Sequence, residues 1–480
     1  MNKRLLIALT LGAPTLIACS GGSNNNGDTA NAASTPLCPA SLDYGTVWTG
    51  GSGSGELVKV QLDTTKMTWQ IQYVESVVPN AKGTAIPSRQ GQTMSGTLTH
   101  ETGLPTQNLN DCTYRLNGAY VTGTNGSGVD TFDDGTSEPA RVFIGQGIMG
   151  GVLPGKEIQF SGINVGNYIP LGNVLIPNPL GSIPDTTFRY FPFLAFQQLD
   201  TSLSTVVANS PYTQLGFSLV LTQGIATNGI NAKWTFNSNG SYTKCDTYGQ
   251  NAGKCVSSGA ADSGYSGGTV DQPFVQSADG SGAFETDNYQ GQMAPYQLPA
   301  VATALFPSGN ETVGKGFMLL GKVRGGDVPL LIRRGVVNIP VLLGGTGSNA
   351  NVDDEVGISV MAPQQAVANG SVNGEYILLD SSLHSSTQYA GGNDDQFDYR
   401  ALLVTGTEAT LIDPFNASDT ATATALNIGY TPATPGALPV AQGANNSTPT
   451  GTLIFGSGAV GYLDMSNPSA PYFAAGAFVQ

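Results

Sequence analysis

Charge is the first thing this chain lacks. Only 11% of its 480 residues are Asp, Glu, Lys or Arg, against roughly 25% in an ordinary soluble domain. Helical surfaces draw heavily on Lys, Glu, Arg and Gln, so this scarcity argues against a helical protein. Histidine is rarer still, with His100 and His384 alone. That argues against a histidine metal centre and leaves a serine triad two possible bases. Basic residues are outnumbered 19 to 34 by acidic ones, a balance that repels nucleic-acid phosphates and anionic headgroups and makes nucleic acid an unsuitable partner. No stretch of about 20 apolar residues is present to span a bilayer as a helix.

What the chain has in plenty is glycine, at 64 residues, with apolar residues at 40%. Gly- and Asn-rich turns separate short β-branched or aromatic runs, the pattern of an all-β protein. Residues 55–63 (GELVKVQLD) and 67–76 (MTWQIQYVES) read as a hairpin across Thr64-Thr65-Lys66. Residues 232–236 and 241–245 flank Asn237-Ser238-Asn239-Gly240, in which Asn-Gly is a strong hairpin signal. Further strands are expected at 374–380, 399–404 and 409–412, with one short helix guessed at 201–208. The length allows about two to four domains. The expected fold is two or three antiparallel β-meander barrel or sandwich domains after a disordered tether; an irregular β-propeller is the alternative. The divisions fall at 37–190 for a β domain, 200–345 for a β-meander domain and 350–480 for a C-terminal β unit.

The N-terminus carries an address. Lys3 and Arg4 precede an apolar stretch over residues 5–17, interrupted only by Thr10, Gly12, Pro14 and Thr15. That is too short to span a membrane and has the layout of a signal peptide over residues 1–18. It ends in Leu16-Ile17-Ala18-Cys19, which resembles the lipobox of bacterial lipoproteins. The resemblance implies cleavage before Cys19, lipidation of that cysteine, and anchoring through two or more acyl chains. Ser20 in place of Asp at the next position favours the outer membrane by the same resemblance. Residues 19–36 are Gly-, Ser-, Asn- and Ala-rich and read as a flexible tether. With Lys3 and Arg4 gone, the formal net charge is near −17.

Export bears on the other cysteines. Cys38, Cys112, Cys245 and Cys255 are an even set in an oxidising compartment, which suggests two disulfides. Three connectivities are open; Cys38–Cys112 and Cys245–Cys255 are favoured because each pair lies within one expected domain. The spacing contains no short Cys-x-x-Cys unit, so zinc is disfavoured.

An internal similarity links distant segments. Residues 141–154 (RVFIGQGIMGGVLP) and 317–329 (FMLLGKVRGGDVP) share an aliphatic run, a Gly, a Gly-Gly and a Pro, and 452–462 (TLIFGSGAVGY) repeats the first part. They read as related hairpins in three β-meander units. The spacings are too uneven for the regular blades of a propeller.

The segments GKGFMLLGKVRGGDVPLLIRRG (314–335), DDEVGIS (353–359), FPFLAF (191–196) and LCPASLDYGTVWTG (37–50) resemble an uncharacterised family of proteobacterial lipoproteins, classed as a domain of unknown function. The resemblance implies a lipoprotein and supplies no activity, so it carries over no catalytic residue.

Motif by motif, catalytic chemistry finds little support. Gly145-Gln146-Gly147-Ile148-Met149-Gly150 has dinucleotide-loop spacing, but Gly151-Val152-Leu153-Pro154 follows where a helix must begin, so a turn is expected. Residues 309–316 (GNETVGKG) miss a phosphate loop at Gly316, where Ser or Thr is required. Gly264-Tyr265-Ser266-Gly267-Gly268 lacks the strand and helix that a nucleophile elbow joins. His384 lies in a serine-rich stretch without a motif. Asp130, Asp133, Asp134 and Glu138, and likewise Asp394, Asp395 and Asp398, read as solvated acidic turns without the order of a calcium loop. Within Asp353-Asp354-Glu355, alternation allows only Asp353 and Glu355 to share a face, and Arg333-Arg334 are candidates to meet this acidic stretch. No metal site, cofactor or catalytic residue is assigned.

Trp48, Trp69 and Trp234 fall in strand-like segments, as do Tyr44, Tyr73, Tyr114, Tyr120 and Tyr242, and are expected in cores. The functional expectation is a membrane-anchored envelope lipoprotein, a non-enzymatic module binding a small apolar ligand, a glycan or another envelope protein. A structural surface lipoprotein without ligand and a carboxylate-dependent polysaccharide hydrolase are the alternatives.

Overall fold

The computed structural model describes residues 38–76, 79–81, 84–104, 107–122, 128–130, 140–160, 168–171, 174–177, 186–220, 226–247, 252–259, 272–287, 315–338, 351–353, 355–380, 399–412, 424–443 and 447–479. Residues 1–37, with Cys19 and the whole of the expected signal peptide and tether, lie outside them.

Strands follow one another in three sets. The first holds β1 (Trp48–Ser52), β2 (Leu57–Asp63), β3 (Thr68–Glu75), β4 (Pro79–Ala81), β5 (Thr84–Ser88), β6 (Thr93–His100), the short helix α1 (Gln107–Asp111), β7 (Thr113–Thr122), β8 (Gly128–Asp130), β9 (Arg141–Ile144), β10 (Ile148–Phe160), β11 (Tyr168–Leu171), β12 (Val174–Pro177) and β13 (Thr186–Phe196). The spatial order is β6-β3-β2-β1-β13-β10-β9-β7-β8, and β6 also pairs with β7, so eight of these strands close into a barrel. Strands β4–β5 and β11–β12 form small ladders of their own.

The second set holds α2 (Ser204–Ala208), β14 (Tyr212–Val220), β15 (Ala226–Phe236), β16 (Tyr242–Asp246), β17 (Cys255–Ser257), β18 (Val275–Gln276), β19 (Phe284–Asp287), β20 (Lys315–Val323), β21 (Gly326–Arg334), β22 (Val336–Asn338), β23 (Asn351–Asp353) and β24 (Glu355–Pro363). Nine of its strands form a half-barrel in the order β17-β16-β15-β14-β24-β21-β20-β19-β18. The third set is β25 (Gly374–Asp380), β26 (Tyr399–Thr405), β27 (Glu408–Ile412), β28 (Thr424–Ile428), β29 (Leu438–Gln442), β30 (Gly451–Gly456), β31 (Ala459–Asp464) and β32 (Tyr472–Phe478), which close into an eight-stranded up-and-down barrel. The all-β meander expectation holds, with barrels rather than propeller blades.

The three sets share one wiring scheme. In each, the last strand lies between the first strand and the second strand of one hairpin: β13 between β1 and β10, β24 between β14 and β21, β32 between β25 and β31. Those hairpins, β9–β10, β20–β21 and β30–β31, are the three segments whose sequences resemble one another.

Alternation explains the strands. In β3, Trp69, Ile71 and Tyr73 are buried while Gln72 between them is exposed, the two-residue period of a strand with one face on a core. Where both faces are covered the alternation is lost: β1, β20 and β24 are buried almost throughout. One continuous core explains this, since it joins Leu194 and Phe196 of the first barrel to Phe217, Ile332 and Ile358 of the half-barrel and to Leu379, Ile454 and Ala475 of the third. Glycines permit the close approach: a Cβ at Gly321 would lie 2.1 Å from the Phe196 ring, and one at Gly51 would lie 2.3 Å from the Ile332 side chain. Two smaller cores fill the half-barrel's other face and the interior of the third barrel. The structure bridges Cys38 to Cys112 and Cys245 to Cys255.

Candidate functional site: the polar mouth of the C-terminal barrel

The interior of the third barrel is layered. Cross-strand register places Tyr376, Leu378 and Asp380 in line on the inward face of β25, with Arg400, Leu402 and Val404 on β26, Val440 and Gln442 on β29, Val460, Tyr462 and Asp464 on β31, and Tyr472 and Ala474 on β32. Apolar members of these rows form the packed core, as expected when eight strands leave a lumen just wide enough for side chains. At one end every row turns polar. Asp380, Arg400, Gln442, Asp464 and Tyr472 stand there, at the ends of five strands.

Two linked arrangements organise this end. The Gln442 amide donates to Asp464 Oδ2 at 2.5 Å and to the Tyr462 hydroxyl oxygen at 3.3 Å. Ser466 adds its backbone N–H to Asp464 Oδ1 at 3.0 Å and its hydroxyl to Oδ2 at 2.7 Å. Asp380, wholly buried, takes Arg400 Nε at 3.4 Å, and that arginine side chain is 21% exposed. Tyr472 stands beside Asp380; burial foremost, then the Asp380 charge, pushes its phenol far above the ordinary range. Burial likewise raises Tyr462, so both hydroxyls are neutral donors and acceptors at any physiological pH. Gly451 makes room for the Tyr462 ring: a Cβ there would lie 2.8 Å from ring carbon Cε2.

Asp380 and Asp464 lie two strands apart, about 10 Å by the usual strand spacing. Both are buried, at 0% and 5% exposure; Asp464 accepts hydrogen bonds from Gln442 and Ser466, and Asp380 is ion-paired with Arg400. Such carboxylates are built to accept hydrogen bonds and hold a polar rim in place. A general acid would need a carboxyl group free to give up its proton. Among the described residues, no three His, Cys, Asp or Glu side chains stand close enough to hold a metal ion.

The residues singled out from the sequence lie elsewhere. Glu355 is buried in the half-barrel, accepting from the Ser218 hydroxyl at 2.6 Å and facing Arg333 Nε at 3.2 Å, so one of the paired arginines does meet the acidic stretch. Arg334 turns instead to Glu75 of the first barrel. Asp353 ends β23, and Asp354 lies outside the described residues. The Gly145-to-Gly150 segment is the turn and first residues of a hairpin, not the start of a helix. Residues 315–323, after the phosphate-loop look-alike, are strand β20. All three tryptophans are fully buried, as are Tyr73 and Tyr242. His100 is exposed at the end of β6, its ring tilted at 38° against that of Tyr114 with centroids 4.4 Å apart. Asp130 ends β8. His384, Ser266, Asp133, Asp134, Glu138, Asp394, Asp395 and Asp398 lie outside the described residues.

Sequence reasoning missed the barrel mouth. The signal was a strand alternation whose last inward position turns polar: Tyr376, Leu378, then Asp380; Val460, Tyr462, then Asp464.

The family model described as "Protein of unknown function (DUF2957)" matches residues 68–477. No curated protein matches the sequence. Among the described residues no helix is long and apolar enough to cross a membrane.

Proposed function

The chain belongs to the DUF2957 family of proteins of unknown function, and from that premise we propose a lipid-anchored bacterial envelope module that binds a glycan at the mouth of its C-terminal barrel. The anchor rests on the Leu16-Ile17-Ala18-Cys19 segment and on the polar stretch behind it. Binding rests on one observation: in a barrel packed with its own apolar side chains, carboxylate, amide, guanidinium and phenol groups gather at one end. Sugars need acceptors for their hydroxyls, donors for their ring oxygens, and a ring face for their C–H surfaces. Asp464, Gln442, Arg400 and the partly exposed Tyr472 supply that set. The role is non-enzymatic, because both carboxylates are engaged in orienting their neighbours.

Native mass spectrometry of residues 20–480 exported to the periplasm tests the binding reading. A hexose-multiple adduct on the wild type that disappears in Gln442→Ala is expected. A bare polypeptide in both proteins would instead favour the structural lipoprotein, which the filled barrel interior also suits. Cys19→Ala tests the anchor separately: the variant should lose metabolically incorporated palmitate and move to the soluble fraction, and retention of label would refute lipidation.

A further inference from the structure

The hairpins β9–β10, β20–β21 and β30–β31, related in sequence, also meet in space. Gly147, in the first turn, lies against the Lys322 carbonyl oxygen, where a Cβ would stand 3.2 Å away. A Cβ on Gly458 of the third turn would lie 2.9 Å from Arg324 Cδ of the second, and one on Gly326 would meet Ser457 Oγ. The second and third hairpins each turn on two residues, Arg324-Gly325 and Ser457-Gly458, with φ of 48° and 79°, and of 46° and 87°. Two positive φ values define the hairpin turn whose first position belongs by preference to Asn, Asp or Gly. Arg and Ser are held there at a cost of about 1 kcal/mol or more each. Among the described residues only Met67 is a third non-glycine with positive φ.

Arg324 stands apart electrostatically as well. Seven arginines have described side chains. Arg89, Arg115, Arg141, Arg333, Arg334 and Arg400 each pair with a carboxylate. Arg324 pairs with none among the described residues. Its guanidinium lies 3.9 Å over the Phe478 ring, the residue is exposed, and its Cδ rests against the facing turn. Among the described residues, a guanidinium with no carboxylate beside it departs from the pattern that the other six follow. Stacking on Phe478 fixes the plane of the fork and reduces the entropy lost when an anion docks.

We propose that Arg324, seated on Phe478 where the β20–β21 and β30–β31 turns meet, is a binding site for an oxyanion, a phosphate or carboxylate group, with the Ser457 hydroxyl as a second donor. A guanidinium takes such a group through two parallel N–H···O bonds. The site lies by the β30–β31 turn, at the opposite end of the third barrel from the polar mouth, and does not depend on glycan binding there.

The test uses the full lipidated chain in detergent, titrated with inorganic phosphate and separately with acetate, at ionic strength held constant with sodium chloride. The probe is the arginine side-chain Nε–Hε resonance, assigned to Arg324 by its absence in Arg324→Gln. A saturable shift of that resonance, larger than that of any other arginine, is expected with at least one of the two anions. Arg324→Lys keeps the charge and loses the fork, so its affinity by calorimetry should fall about tenfold or more. An unmoved Arg324 resonance with both anions overturns the proposal, as does undiminished binding by the lysine variant. The lysine variant also serves if the glutamine variant fails to fold.

Discussion

Glu101 shows how single side chains carry this fold. Its carboxylate accepts from Arg115 Nη2 and from Arg141 Nε, both at 2.7 Å, and from the backbone N–H groups of Thr102 and Gly103, tying the end of β6 to β7 and β9. Burial works most strongly on this group and opposes its ionisation. The hydrogen bonds from Arg115, Thr102 and Arg141 outweigh burial and hold the pKa at about 2. A pKa depressed in the folded state means stability that is present above the ordinary carboxylate value and lost as pH falls toward 2. Glu101→Gln should therefore destabilise by about 3 kcal/mol at pH 7, the scale on which losing one partner of a buried ion pair acts. Urea midpoints of variant and wild type should converge between pH 4.5 and 2. A gap that stays constant down to pH 2 would show that the charge of Glu101 is not what matters.

At the scale of elements, the strands were legible because alternation and turn residues are local. Trp69, Ile71 and Tyr73 against their polar neighbours marked β3, and Asn239-Gly240 marked the turn between β15 and β16. The polar mouth was not legible, because Asp380, Arg400, Gln442 and Asp464 meet only through the closure of a barrel whose first and last strands lie nearly a hundred residues apart. The turns at Arg324 and Ser457 were hidden for a different reason: neither residue advertises a left-handed backbone. Gly321 illustrates a contact between sets that no local pattern records. It sits mid-strand in β20 because Phe196 of β13 needs the space. Gly321→Ala brings a methyl group within 2.1 Å of that ring, an overpacking worth about 1–3 kcal/mol. Thermal melts of this variant should show the loss, and Gly321→Ala with Phe196→Leu should recover part of it. An unchanged melt would mean the two strands can separate freely.

For the molecule as a whole, the decisive fact is that the largest core is shared. Leu194, Ile332 and Leu379, one from each set, belong to the same buried cluster. The described residues, all of them within 36–480, accordingly form one compact unit. Unfolding of any one set strips apolar cover from the other two, so calorimetry of the disulfide-intact protein should give a single transition. Resolved transitions for the three sets would contradict a common core.

Chain order gives that shared core a history. The first barrel has all its strands once Phe196 is made, yet part of its outer wall, where Gly51 receives Ile332, has no cover until more than a hundred further residues have emerged. At roughly 5–20 residues per second, those residues take about 7–27 seconds to be made, an interval in which the oily flank has no native cover. During that interval the nascent chain is at its most adhesive. Its safe arrival depends on whatever shields that flank, a demand that the finished molecule no longer shows.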